Sequence, residues 1–201
     1  MALVFANNSS LANITALPSG ISGGALNLIS TQTASASASI EFTSGIDSTY
    51  DSYVFKFINC HPSEDAGRLQ VNFSTDGGSN YNVTKTSTSF RSYHNEADSS
   101  TLLDYTDGFD MAQETGFKTI CAVGGNDNDQ SASGEMYLYN PSSTTFVKHF
   151  IATTHTYGQN DASYSLFSAG YGNTTSAING VKFIMHSGNI DDGIIKMYGV
   201  S

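Results

Sequence analysis

Cations are scarce in this chain: eight of its 201 residues are Lys or Arg, against eighteen Asp or Glu, giving a formal charge of −10. The sequence pI is about 4.6. Wrapping a nucleic-acid backbone requires clustered cations, so nucleic-acid partners are excluded. Tryptophan is absent, which removes the usual stacking platform of a carbohydrate site. Two cysteines, Cys60 and Cys121, are too few for a disulfide framework. Each ends an apolar run, so both read as buried thiols, with a single bridge between them as the alternative. No apolar run approaches the length of a membrane span. The first residues lack the positive n-region and sustained apolar stretch of a signal peptide, so the protein is expected to be made and used without Sec export.

Charged residues make up 13% of the chain, about half the usual share. Ser and Thr fill the gap at about a quarter of all residues, with Asn also abundant. Such side chains pair locally with the backbone, which suits turns and sheet surfaces and disfavours helix interiors. Twelve Phe and eleven Tyr supply the mass of a core and of interfaces.

Short apolar runs separated by Gly, Asn, Asp and Ser clusters recur along the sequence. Residues 35–42 alternate small and polar side chains with period two. Residues 51–59 are rich in aromatic and β-branched types, and 68–74 put Leu69, Val71 and Phe73 on one face. Further strands are expected at 81–84, 87–93, 117–123, 135–139, 145–153 and 163–169. The last segment reads as a hairpin, with runs 181–185 and 194–201 flanking a polar loop at 186–193. Residues 95–116 differ, being acidic with scattered Leu102, Leu103, Phe109 and Met111; a short helix or a long excursion is expected there. About ten strands without helical periodicity predict an all-β protein: an antiparallel β-sandwich, jelly-roll-like.

Residues 1–30 are Asn-, Ser- and Gly-rich but carry recurring aliphatics. A disordered tail would be poor in these. The segment is therefore read as an extended arm used in assembly or anchoring, through Leu3, Val4, Phe5, Leu11, Ile14 and Leu17. Residues 31–201 form the single sandwich domain.

Chemistry-bearing motifs are weak throughout. The five histidines lie in five separate segments without His-x-His or His-Glu-x-x-His spacing, so no metal pair is presented. Gly-x-Ser-x-Gly is missing, as is any Gly-rich loop with the Lys and helix start that cradle phosphate. Asp127, Asn128 and Asp129 offer the clustered oxygens that calcium prefers, without the sixth-position Gly and distal Glu of an EF-hand. Asp191 and Asp192 make a similar, weaker case. The acids between 96 and 114 match the general demand of glycoside hydrolysis for two carboxylates, a pattern of low specificity. No catalytic residue and no cofactor is assigned.

Several stretches resemble virion structural proteins of tailed phages of marine bacteria. They are Ala34-Ser35-Ala36-Ser37-Ala38-Ser39-Ile40-Glu41-Phe42-Thr43-Ser44-Gly45-Ile46-Asp47, Tyr50-Asp51-Ser52-Tyr53-Val54-Phe55-Lys56-Phe57-Ile58-Asn59 and Ser74-Thr75-Asp76-Gly77-Gly78-Ser79-Asn80-Tyr81. Asn140-Pro141-Ser142-Ser143 and Ser176-Ala177-Ile178-Asn179-Gly180-Val181-Lys182-Phe183 belong with them. The resemblance implies a non-enzymatic β-sandwich on the surface of a phage particle made in the bacterial cytoplasm. A capsid decoration or head-fibre protein is the first expectation. A tail fibre or adhesin touching host-surface glycan is the second, and a carbohydrate-binding module or glycan-active enzyme the third. The expected partners are other virion proteins and copies of itself, as a homotrimer.

Overall fold

A computed structural model describes residues 25–201. The expected arm residues Leu3, Val4, Phe5, Leu11, Ile14 and Leu17 lie outside the described residues. Among those described, the chain forms thirteen strands and no helix. In order they are β1 (Leu26–Ser37), β2 (Ile40–Phe42), β3 (Ser52–Pro62), β4 (Leu69–Ser74), β5 (Lys85–Asn95), β6 (Thr101–Tyr105) and β7 (Met111–Glu114). Then follow β8 (Lys118–Thr119), β9 (Ala132–Tyr139), β10 (Lys148–Gly158), β11 (Ala162–Gly172), β12 (Gly180–Met185) and β13 (Ile190–Val200).

The strands make an antiparallel sandwich of two unequal layers. A nine-stranded sheet runs β1-β13-β3-β9-β10-β11-β5-β6, with β7 also on β5; a four-stranded sheet runs β2-β12-β4-β8. Alternation within each strand decides which side chains meet between the layers. One inner row of the large sheet reads Phe55, Met136, Ala152, Ser168, Ser89 across five neighbouring strands, and all are buried. The small sheet answers with Leu69, Val71, Phe73, Val181, Phe183 and Phe42. Phe183 sits at the centre of that contact. Its ring centroid lies 5.3 Å from Phe57, 5.4 Å from Phe55 and 6.2 Å from Phe42, largely edge-on. A second, smaller cluster of Phe109, Ala122, Ala162, Tyr164 and Leu166 forms where irregular segments, rather than strands, cover β11.

Five expectations change against this architecture. The runs 181–185 and 194–201 are not a hairpin: β12 pairs with β2 and β4, whereas β13 pairs with β1 and β3. Both runs bury apolar residues in the same core, and they do so from opposite layers, with the polar loop crossing between. No helix forms in 95–116; β6 and β7 both pair with β5. Cross-strand partners settle it, with Arg91 Nε donating to Asp104 at 3.0 Å and Leu102 set opposite Tyr93. Residues 81–84 are irregular because the buried Asn72 amide takes the Tyr81 carbonyl at 2.7 Å. The run 117–123 pairs only at Lys118–Thr119 before leaving the sheet. The first strand begins at Leu26, inside the segment read as arm, and pairs along its length with β13.

Replacing Phe183 with Ala is expected to lower the unfolding free energy by about 3–5 kcal/mol, because three aromatic neighbours cannot collapse into the space it leaves. Urea unfolding at equilibrium measures this, and the slope should stay unchanged.

Candidate functional site

The sequence candidates scatter when placed on the fold. Asn128 and Asp129 do meet Asp191 and Asp192, in a polar pocket of about 540 Å³ completed by Asn59, His61, Gln130 and Ser131. Asp127 is not part of it; its backbone is exchanged with Gln130, whose N–H donates to the Asp127 carbonyl at 2.9 Å. His61 Nδ1 is bound to the Gln130 carbonyl at 2.6 Å. No group of three or more His, Cys, Asp or Glu among the described residues is arranged to hold a cation. Cys60 and Cys121 are free and buried, as read from the sequence. Burial pushes both thiols up to about 12, so they are inert as nucleophiles at neutral pH.

One Ser–His contact exists among the described residues. His155 Nε2 and Ser163 Oγ are 2.9 Å apart, on paired strands β10 and β11. No carboxylate orients the other ring nitrogen among the described residues, and the contact lies on an exposed sheet surface. It lines an open pocket of about 390 Å³ with His94, Glu96, Asp98 and Tyr157. Here the loops after β5 and β10 meet, through the Glu96 N–H donating to the Asp161 carbonyl at 2.8 Å.

Three lysines carry a signal that the sequence reading missed. Lys85, Lys118 and Lys148 are fully buried. None of them forms a salt bridge among the described residues; those belong to Lys56, Arg91, His94 and Lys182. Lys85 Nζ donates to Asn72 Oδ1 at 2.6 Å and to the Val83 carbonyl at 2.7 Å. Lys118 Nζ donates to Ser89 Oγ at 2.7 Å and to the Phe109 carbonyl. Lys148 Nζ donates to the Phe146 and Thr174 carbonyls, at 2.8 and 3.2 Å. Each nitrogen thus has two oxygen acceptors and no carboxylate partner among the described residues. Desolvation accordingly lowers the amines of Lys85 and Lys118 to about 8, and that of Lys148 in the same direction. Perturbed lysines mark reactive sites when a substrate can reach them. These are sealed between layers and bound to loop carbonyls, so their work is structural.

The feature with the properties of a working surface is the outer face of the large sheet. Cross-strand pairing lines up Leu28, Tyr198, Val54, Tyr137, Ile151, Ala169 and Thr88 in one row over seven strands. The adjacent row runs Thr31, Lys196, Lys56, Glu135, Thr153, Phe167, Phe90 and Tyr105 over eight strands. Phe90 and Phe167 stack at 5.0 Å. Leu103, opposite Ser92 in a further row, is 73% exposed, with Leu28 at 57%, Tyr105 at 55% and Phe90 at 46%. Charges in the two long rows are Lys196, Lys56 and Glu135, and the last two are paired at 3.0 Å. At one end, Thr86, Thr88, His149, Ile151, Ala169 and Tyr171 surround an apolar groove of about 500 Å³. The sequence did carry a signal for this face, in strands apolar on both parities. In β11, Tyr164 and Leu166 point inward while Phe167, Ala169 and Tyr171 point outward.

Compared with known proteins, the chain matches no family model, no curated protein and no solved structure.

The lysines set a pH dependence. In the unfolded chain their amines titrate at the ordinary 10.5, and in the folded chain those of Lys85 and Lys118 titrate at about 8. The folded state therefore binds fewer protons across this interval, and stability rises with pH from about 8. The raised thiols act oppositely from their ordinary 9.0 upward, which leaves pH 8 to 9 as the clean window. Urea titrations should show the unfolding free energy rising there by about 1 kcal/mol for each of these two lysines. Lys118→Met should remove roughly half of that slope.

Proposed function

We propose that this protein is a non-enzymatic structural component on the exterior of a tailed phage particle, acting as a capsid decoration or head-fibre protein. The observation that carries the reading is the outer face of the nine-stranded sheet. Exposed Phe90, Leu103, Tyr105 and Leu28 share one side of a molecule with formal charge −10, and the two long rows through that side hold one ion pair and one further lysine. A broad, aromatic, nearly uncharged surface binds another surface well and a small molecule poorly. The sandwich and the low charge agree with the resemblance to phage virion proteins, and the docking partner is the particle's outer shell.

A second reading rests on a different observation. The loops after β5 and β10 close together around Tyr157, His94, His155 and Glu96, an open pocket with an aromatic wall. On a tail fibre, that pocket would take host-surface glycan.

Immunogold labelling of intact particles with antibody to the purified chain tests both. Label on the head supports decoration, label on the tail supports the adhesin, and unlabelled particles overturn the proposal. In the first case, Phe90→Asp combined with Leu103→Asp should abolish attachment. Each exposed position should change stability by only about 0.5 kcal/mol, measured by urea unfolding.

A further inference from the structure

The large sheet has two ends, and they are protected very differently. At one end β6 is five residues long and carries Asp104, held by Arg91. The small sheet ends in three-residue β2, which carries Glu41 bound to Lys182, and in two-residue β8. The other end of the large sheet is β1, twelve residues long, and among the described residues its only strand partner is β13. Natural edge strands are blunted by charge, proline or shortness, because a row of free N–H and C=O groups is a template for another strand. β1 has none of these defences. It contains no Pro and no ionisable side chain, and the first ionisable side chain in the whole sequence is Glu41. Its one register shift lies between Leu28 and Ser30, so residues 30–35 run in unbroken register with β13. Thr31, Gln32 and Thr33 are exposed although their side chains alternate between faces, as befits an open edge.

We infer that β1 is a self-association edge, where a second copy of this chain adds its own β1 antiparallel across a two-fold axis to join two nine-stranded sheets. Three observations select a second copy as the occupant. A strand paired antiparallel with itself satisfies its donors and acceptors by symmetry, so the interface is self-complementary. Thr31 and Thr33 share the outer face, and threonines facing each other across strands form favourable pairs. Two molecules that each carry −10 repel everywhere except where charge is missing, and β1 is the long strand edge without charge. The pairing also extends the outer face across both copies, since Leu28 stands at the β1 end of its longest apolar row. A two-fold edge yields a dimer in place of the trimer expected from sequence.

The test uses the full chain and two variants, Thr33→Lys and Thr33→Glu. The wild type should sediment as a dimer, with slow hydrogen exchange at residues 30–35. Each variant places like charges across the two-fold axis and should raise the dissociation constant on the order of tenfold. The unfolding free energy of the dissociated monomer, measured at concentrations below the dissociation constant, should be unchanged, since Thr33 is exposed. Mixing the two variants should restore the dimer, because lysine then faces glutamate. A monomeric or trimeric wild type overturns the inference. So does a dimer indifferent to both substitutions, or a mixture that stays monomeric.

Discussion

Everything in this fold depends on how polar backbone is kept dry between two layers of unequal size. Four strands cannot cover nine, so irregular segments at 79–84, 106–110 and 115–117 lie over the remaining part of the large sheet. Their carbonyls face the interior, where an unpaired acceptor is costly. Lys85, Lys118 and Asn72 meet that demand. Asn72 donates to the Tyr81 and Thr115 carbonyls and accepts from Lys85 Nζ. Lys118 reaches from β8 to the Phe109 carbonyl and to Ser89, which in turn touches Ser168 at 3.0 Å. Lys148 performs the same task at the other edge of the gap, tying the loops before β10 and after β11. A long apolar stem ending in an amine fills the space and closes the bonds at once, as a buried carboxylate, which only accepts, could not.

This constraint explains which parts of the fold were legible. Strands whose neighbours are other strands announce themselves by alternation, and residues 51–59 and 68–74 were read close to their bounds as β3 and β4. Pairing was not legible. Runs 181–185 and 194–201 have the composition of a hairpin, yet what fixes their place is which layer each must complete, a property of the assembled core. Residues 81–84 and 117–123 have strand composition too, but buried polar side chains elsewhere in the chain claim their carbonyls. In 95–116, acidic residues masked two strands whose evidence is their partner, since Asp104 makes sense only beside Arg91.

The candidate site was legible in kind and not in location. Acidic and amide clusters drew attention to Asp127, Asn128, Asp129, Asp191 and Asp192, because oxygen-rich loops are what a cation requires. The fold does bring four of those five to one pocket. The aromatic surface was distributed across the large sheet from its β1 edge to its β6 edge, a few residues from each strand, so no local window contained it. Its only trace was strands apolar on both faces, and those read equally well as buried cores.

The same inequality of layers leaves the proposed adhesive face free of irregular backbone. Under a small sheet large enough to cover its partner, the inner face would have needed no buried amines. Instead the chain places its covering loops, with their costly polar backbone, on the inner side. Its hydrogen-bonded ladder is left exposed on the outer side. Such a ladder presents Phe90, Phe167, Tyr137 and Tyr198 at fixed spacing without further ordering on contact. Adhesion between large surfaces is limited by the entropy of ordering the groups that meet. A sheet already ordered by its own hydrogen bonds avoids much of that cost, which is why this architecture suits covering and adhering.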